Sequence, residues 1–167
     1  MPIETEKRLI DANLNRLREG IRVVEDIARY ILDDFALASK LKNLRHRVRI
    51  GDSSFCDELL QNRDINNDIL KDSTPSERNR KSLSDIITAN FKRSEESARV
   101  LEEIFKLDST KRDSTKIAES ALESNGDFNE SKIDENQAIC EIFKTIRYEL
   151  YDVEVAFLQA IKQREIL

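Results

Sequence analysis

From Ile10 onward the apolar residues recur at steps of four and three: Ile10, Leu14, Leu17, Ile21, Val24, Ala28 and Ile31. This spacing lines up one stripe of an α-helix and predicts an amphipathic helix with a heptad-like seam. Asp33 and Asp34 follow as N-cap candidates. A second series, Leu37, Leu41, Leu44 and Val48, runs to Gly51, where the helix should stop, and the pair predicts an antiparallel hairpin. Between Gly51 and Ser73 the pattern weakens to one short helix from Ser54 to Asn62 and a polar loop, RDINNDILKDS. Thr74-Pro75-Ser76-Glu77 combines a capping hydroxyl, a first-turn proline and a glutamate three residues past the cap, and it predicts a helix reaching about Lys106. The stretch 108–134 is polar and low in complexity and reads as an excursion. Asp134, with Gln137 three positions on, opens a last helix carrying Ile139, Ile142, Phe143, Ile146, Leu150, Val153, Phe157 and Ile161.

The polar positions repeat as well. Setting Asn13 on Asn90 aligns Ile10 with Ile87, Ala12 with Ala89, Arg16 with Arg93, Glu19 with Glu96, Arg22 with Arg99, Val23 with Val100, Glu25 with Glu102 and Ile27 with Ile104. Five of these nine identities are polar. Leu44-Arg45-His46 aligns more faintly with Ile146-Arg147-Tyr148, and the larger offset there matches the length of the polar excursion. The expected architecture is an all-α helical bundle of two pseudo-symmetric helical hairpins with short connecting helices. One helical domain over 1–167 is expected, with repeat halves at about 5–50 and 75–164 and a polar insertion at about 108–134.

Composition sharpens this picture. Three glycines, two prolines and 37% charged residues suit helices and not sheets. A formal charge of -5 argues against general nucleic-acid binding. No apolar run nears the ~20 residues that cross a bilayer, and MPIETEKRLIDAN lacks the core of a signal peptide, so a cytoplasmic protein without membrane association is expected. Cys56 and Cys140 stand far apart without a CxxC spacing, which speaks against a zinc or disulfide framework.

A duplicated hairpin needs its apolar seam but has little need for particular charges. Asn13, Arg16 and Glu19 fall within or at the edge of the apolar arc, as do Asn90, Arg93 and Glu96. Polar groups placed there need partners, from neighbouring helices or from a ligand. Arg22 and Arg99 have a plainer reading as surface ion pairs, with Glu19 and Asp26 or with Glu96 and Glu103. The run RHRVR around Arg45 and His46 reads equally as a solvated face, and Tyr148 and Tyr151 as core tyrosines with wet hydroxyls. Arginines grip phosphate oxygens bidentately and nearby glutamates can hold Mg²⁺. No GxxxxGK[ST] loop, GxGxxG or protein-kinase signature is present, so a phosphate site here would be built from helix side chains.

The pattern I-x-A-N-x-x-R-x-x-E-x-x-R-V-[VL]-E-[DE]-I in both copies, with Leu44-Arg45-His46, Arg63-Asp64 and the closing IRYELYDVE, resembles the small all-helical hydroxymethylpyrimidine phosphate kinase family of thiamine biosynthesis. That family occurs alone or fused in front of thiamine phosphate synthase. The resemblance implies transfer of the ATP γ-phosphoryl group, with Mg²⁺, to 4-amino-5-hydroxymethyl-2-methylpyrimidine phosphate, and discrimination against the unphosphorylated alcohol. Carried onto matching positions, it implies Arg16, Arg93, Arg45 and Arg147 on phosphates and Glu19 and Glu96 at the metal. Asn13, Asn90, His46 and Tyr148 would join the substrate-binding set, with Arg63 and Asp64 on a loop that closes over it. Two features depart from the pattern: INNDIL follows Arg-Asp where a glycine-containing turn is expected, and the 108–134 insertion is long.

The implied partners are ATP, the phosphorylated pyrimidine and thiamine phosphate synthase, and a homodimer is compatible with the heptad seam. Two other readings stand beside the kinase. One is a non-catalytic helical module binding a phosphorylated ligand or the synthase, and the other is a structural dimerisation hairpin.

Overall fold

The computed structural model describes residues 4–50, 53–70, 79–107 and 135–164, and every described element is helical: α1 (Glu4–Tyr30), α2 (Phe35–Arg47), α3 (Ser53–Gln61), α4 (Leu83–Ile104) and α5 (Glu135–Gln163). The protein is all-α. The expected helix start at Thr74–Glu77, the polar excursion and the cap at Asp134 lie outside the described residues.

Local chemistry explains the ends. Asp33 takes φ 48, in the left-handed region, and turns the chain between α1 and α2. The Asp34 carboxylate then accepts from the Leu37 N–H at 3.1 Å, which makes Asp34 the α2 cap. The fourth helix does not run on from Thr74, because residues 79–82 are not helical and Ser82 caps α4. The Ser82 hydroxyl accepts from the Asp85 N–H at 3.1 Å, and the Asp85 carboxylate reaches back to the Lys81 N–H at 2.9 Å. The arrangement resembles a capping box, with aspartate in the glutamate position and its return bond made to the residue before the cap.

The seam residues Ile10, Leu17, Ile21, Val24 and Ala28 are fully buried, together with Leu41 and Leu44 of α2 and Ile87, Phe91, Ala98 and Leu101 of α4. From α5 come Phe143, Ile146, Leu150, Val153, Phe157 and Ile161. Phe91 meets Phe157 edge-on at 5.7 Å, and Phe105 stacks on Phe143 at 5.9 Å. Since α4 positions rise as α5 positions fall between these pairs, the two helices run antiparallel. Helices α1 and α4 do likewise, because Leu17 faces Ser94, Gly20 faces Asn90, and Leu9 lies beside Ile104 and Leu107. Gly20 makes that crossing close: a Cβ there would run into Ser94 Oγ and sit 2.9 Å from the Asn90 carbonyl oxygen.

Helix α3 continues the line of α2. The buried residues Leu41, Leu44, Val48, Phe55 and Leu59 fall 102 positions before Phe143, Ile146, Leu150, Phe157 and Ile161, the separation that also divides Arg47 from Glu149. One half breaks between Arg47 and Ser53 what the other writes as a single helix, and α3 then leads into the loop that carries Arg63 and Asp64.

Candidate functional site

The polar repeat separates into three layers. In the first, Asn13 and Asn90 turn back on their own helices: the Asn13 side-chain amide donates to the Leu9 carbonyl at 2.9 Å and that of Asn90 to the Ile86 carbonyl at 2.7 Å. Asn13 is buried and Asn90 half-buried, so each satisfies its amide locally beside the α1–α4 crossing.

In the second layer, Glu25 and Glu102 are buried carboxylates. Arg45 of α2 gives Nε and Nη2 to Glu25 at 2.6 and 3.3 Å, and Arg147 of α5 gives Nε and Nη2 to Glu102 at 3.2 and 2.9 Å. Arg22 joins Glu25 and Asp26 at 3.5 and 3.0 Å, and Arg99 joins Glu102 and Glu103, each at 2.7 Å. The same four-membered network is therefore built twice, clamping α2 to α1 and α5 to α4. The hydrogen bond to Glu25 raises the Arg45 pKa, and bonds to Tyr151 and then Glu102 raise that of Arg147. Sequence reasoning placed Arg22 and Arg99 on surface pairs, which Asp26 and Glu103 provide, but missed the buried glutamates. Their signal was present, since both stand among the nine repeated identities.

The third layer is Arg16 and Glu19 on α1 with Arg93 and Glu96 on α4. All four are exposed, and among the described residues none of them sits in an ion pair of 4 Å or less. At about 100° per residue, Arg16 lies just outside Gly20, and Arg93 just outside Ser97, on the sides of α1 and α4 that face each other. The antiparallel crossing thus brings both arginines onto one outer face of the bundle. The expectation that Arg16 and Arg93 lie buried in the apolar arc is corrected: the close α1–α4 approach is made by Gly20 and Ser94, which leaves the arginines at the rim.

Glu19 also borders a shallow depression of about 470 Å³ between α1 and α2, lined by Asn15, Arg18, Glu19, Arg22, Val23 and Arg45. Arg63 closes on the same helix, with Nε and Nη2 each 2.7 Å from an Asp11 oxygen, and Asp11 also accepts from Asn15 at 3.2 Å. Arg8 donates to the Asp64 carbonyl at 2.9 Å. The Asp64 carboxylate collects the Asn67 amide and the N–H groups of Asn67 and Asn66, which hold its pKa below the usual range. Arg63 therefore anchors the loop to α1, and Asp64 shapes it through asparagines where a glycine-containing turn was expected. Asp11, Asn15 and Arg18 were missed because none has an identity in the second copy, where Thr88, Lys92 and Glu95 stand.

His46 is exposed on α2. Desolvation, followed by the charges of Arg45, Arg49 and Lys42, lowers its pKa, so its neutral form prevails among cations that suit an anion. Tyr148 and Tyr151 are surface residues and not core tyrosines. Among the described residues no three His, Cys, Asp or Glu side chains stand together to hold a metal. No described helix is long and apolar enough to cross a membrane.

An all-helical bundle with arginine and glutamate stripes on facing helices defines the class. Residues 8–125 match the ThiD2 family, and this chain belongs to it. Among similar proteins is the thiamine-phosphate synthase of Thermosynechococcus vestitus, 40% identical over 105 residues, which cover 62% of this chain and 29% of that protein. The thiamine-phosphate synthase of Prochlorococcus marinus (strain AS9601) is 33% identical over 156 residues, 93% of this chain and 36% of the relative. That of Rhodopirellula baltica is 38% identical over 101 residues, 59% of this chain and 27% of the relative. The chain thus spans about a third of the length of the curated relatives it matches. No solved structure matches it.

Proposed function

We propose that this chain is a kinase that transfers the γ-phosphoryl group of ATP to 4-amino-5-hydroxymethyl-2-methylpyrimidine phosphate, making the diphosphate used in thiamine phosphate synthesis. Membership in the ThiD2 family and likeness to enzymes named thiamine-phosphate synthase support a place in thiamine biosynthesis. The observation that carries the kinase reading is the α1–α4 face, where Arg16 and Arg93 stand exposed and outside any ion pair among the described residues, while Arg22, Arg45, Arg99 and Arg147 are all committed to carboxylates.

The acceptor in this reaction is an oxygen of an already ionised phosphate, so no base has to remove a proton. The main barrier is repulsion between two phosphate anions brought into line. Arginines on facing helices meet that need by drawing both anions to one place and spreading their charge. Arg45 and Arg147 stand behind the face with N–H donors beyond those given to Glu25 and Glu102. Mg²⁺ taken up with a nucleotide needs only one or two carboxylates besides the phosphates, and Glu19 and Glu96 are of that kind. Such an ion neutralises phosphate charge. A substrate lacking its phosphate leaves the arginines unmatched, which accounts for selectivity against the free alcohol.

The test is ADP release from Mg-ATP by the purified chain, with the pyrimidine monophosphate or the free alcohol as acceptor. Release with the monophosphate alone supports the kinase. A non-catalytic module, the competing reading, is stabilised by the monophosphate and releases no ADP.

A further inference from the structure

The two buried networks match each other, but the surfaces above them do not. Beside Arg45 the first half carries His46 and Arg49. Beside Arg147, at the corresponding places, the second half carries Tyr148 and Tyr151. Their rings meet edge-on at 6.0 Å, and the Arg147 guanidinium lies 5.0 Å from the Tyr148 centroid and 5.8 Å from that of Tyr151. Arg147 also donates to the Tyr151 hydroxyl at 3.3 Å. On the other side, the Lys92 ammonium lies 5.9 Å from the Tyr151 ring. It is fixed there by Glu95 of α4 at 2.9 Å and Glu154 of α5 at 2.7 Å. Every group holding the rings is thus itself held, by a buried carboxylate or by a bridge across the helices. Yet Tyr148 remains 57% exposed.

A fixed, half-open pair of aromatic rings backed by cations is the arrangement that stacks a planar heterocycle and tolerates its negative charge. We propose that the exposed Tyr148–Tyr151 pair on α5 is the stacking platform for the planar nitrogen heterocycle of a phosphorylated ligand, and that the cationic α1–α2 half is the anion-binding counterpart. The proposal rests on the kinase reading for the identity of the ligand and stands apart from it in the geometry. The divergence between the halves gives it direction: a duplicated scaffold that handles two different phosphorylated molecules needs one half to keep charge and the other to acquire rings.

The chain has no tryptophan and three tyrosines, so a Tyr30→Phe variant reports on Tyr148 and Tyr151 alone. In that background, tyrosine fluorescence is titrated separately with ATP and with the pyrimidine monophosphate, with free tyrosine as the absorption control. Saturable quenching by either ligand is expected, and the ligand that quenches is the one whose ring sits on the platform. Tyr148→Ala should weaken that ligand about tenfold or more, with Tyr151 as reporter, and Tyr148→Phe should restore it. Quenching by neither ligand, or equal affinity in Tyr148→Ala, overturns the proposal. ADP release separates the two readings: quenching without turnover keeps the platform and rejects the kinase, whereas turnover with an unchanged KM in Tyr148→Ala does the reverse.

Discussion

Arg47 on α2 donates from Nη1 to both carboxylate oxygens of Glu149 on α5, at 2.8 and 2.9 Å, and the two residues hold the same place in the two halves, 102 positions apart. On the opposite side of the bundle the Ser94 hydroxyl approaches the Leu17 carbonyl at 3.4 Å, and these two are also counterparts, 77 positions apart. Equivalent residues meet only where a two-fold relation passes between them, and both contacts fit one. Both partners of the Arg47–Glu149 pair are partly exposed, so reversing either charge alone should cost about 1 kcal/mol or less. Arg47→Glu combined with Glu149→Arg should recover most of that loss in urea unfolding. A double variant no better than the sum of the singles would remove the pair from the account.

The buried networks should behave differently. Glu25 is 2% exposed and its partner Arg45 lies mostly beneath the surface, so Glu25→Ala leaves a guanidinium without its carboxylate and should cost about 2–3 kcal/mol. Glu102→Ala should match it. A double-mutant cycle of Glu25→Ala with Arg45→Ala, followed by urea unfolding, should give a coupling of about 1–3 kcal/mol.

Gly20 offers a test of sign. Exposed in a helix, glycine to alanine stabilises by about 1 kcal/mol. Here the added Cβ would meet Ser94 Oγ and the Asn90 carbonyl, and a backbone carbonyl cannot step aside as a side chain can. Gly20→Ala should therefore destabilise by about 1–3 kcal/mol, and Ser94→Ala should relieve only the hydroxyl part. Thermal unfolding of the single and double variants checks both statements.

The Lys92 cluster gives a pH dependence. Burial, and then the neighbouring Glu154 charge, raise the Glu95 pKa above 4.5, while the carboxylates lift Lys92 to about 12. A raised carboxyl pKa means that the folded state holds the proton longer than the unfolded chain. That contribution is complete below pH 4.5 and is lost as pH rises through the folded value. Glu95→Gln should flatten this fall, so the stability difference between variant and wild type should shift in favour of the variant as pH climbs from 4 to 7. Melting temperatures across that range test it, and parallel curves would contradict it. The raised Lys92 pKa acts at the alkaline end, where its stabilisation is lost as pH rises through about 12.

Arg16 and Arg93 should separate stability from activity. Because neither sits in an ion pair among the described residues, Arg16→Ala and Arg93→Ala should change stability by less than about 0.5 kcal/mol. Under the proposed function each should lower kcat/KM about 100-fold. Arg45→Ala should lower both. Normal turnover by folded Arg16→Ala and Arg93→Ala would move the site elsewhere on the bundle.

The apolar spacing made the helices legible, including α2 with its cap and the antiparallel hairpin. The seam from Ile10 to Ala28 is buried as its period requires. The start of α4 was not legible, because Ser82 with Asp85 competes with a more familiar signal at Thr74. The match of α2 to α5 was legible through Leu44-Arg45-His46, but that of α3 to α5 was hidden by the break between Arg47 and Ser53, although Phe55 and Phe157 kept the register. Within the candidate site, the repeat singled out Asn13, Arg16 and Glu19. It could not distinguish an amide bonded to its own helix from an arginine at the rim, since that depends on how closely Gly20 and Ser94 let the helices approach. Tyr148 and Tyr151 read as core tyrosines in the sequence, and only their exposure and their contacts with Arg147 mark them as a surface pair.

The most direct measurement is ³¹P NMR of the purified chain mixed with Mg-ATP and 4-amino-5-hydroxymethyl-2-methylpyrimidine phosphate. The account predicts that the monoester resonance gives way to the coupled pair of a diphosphate ester as ADP accumulates, and that no phosphorylated product forms from the free alcohol. An unchanged monoester resonance, in a sample where the folded chain binds both ligands, would contradict it.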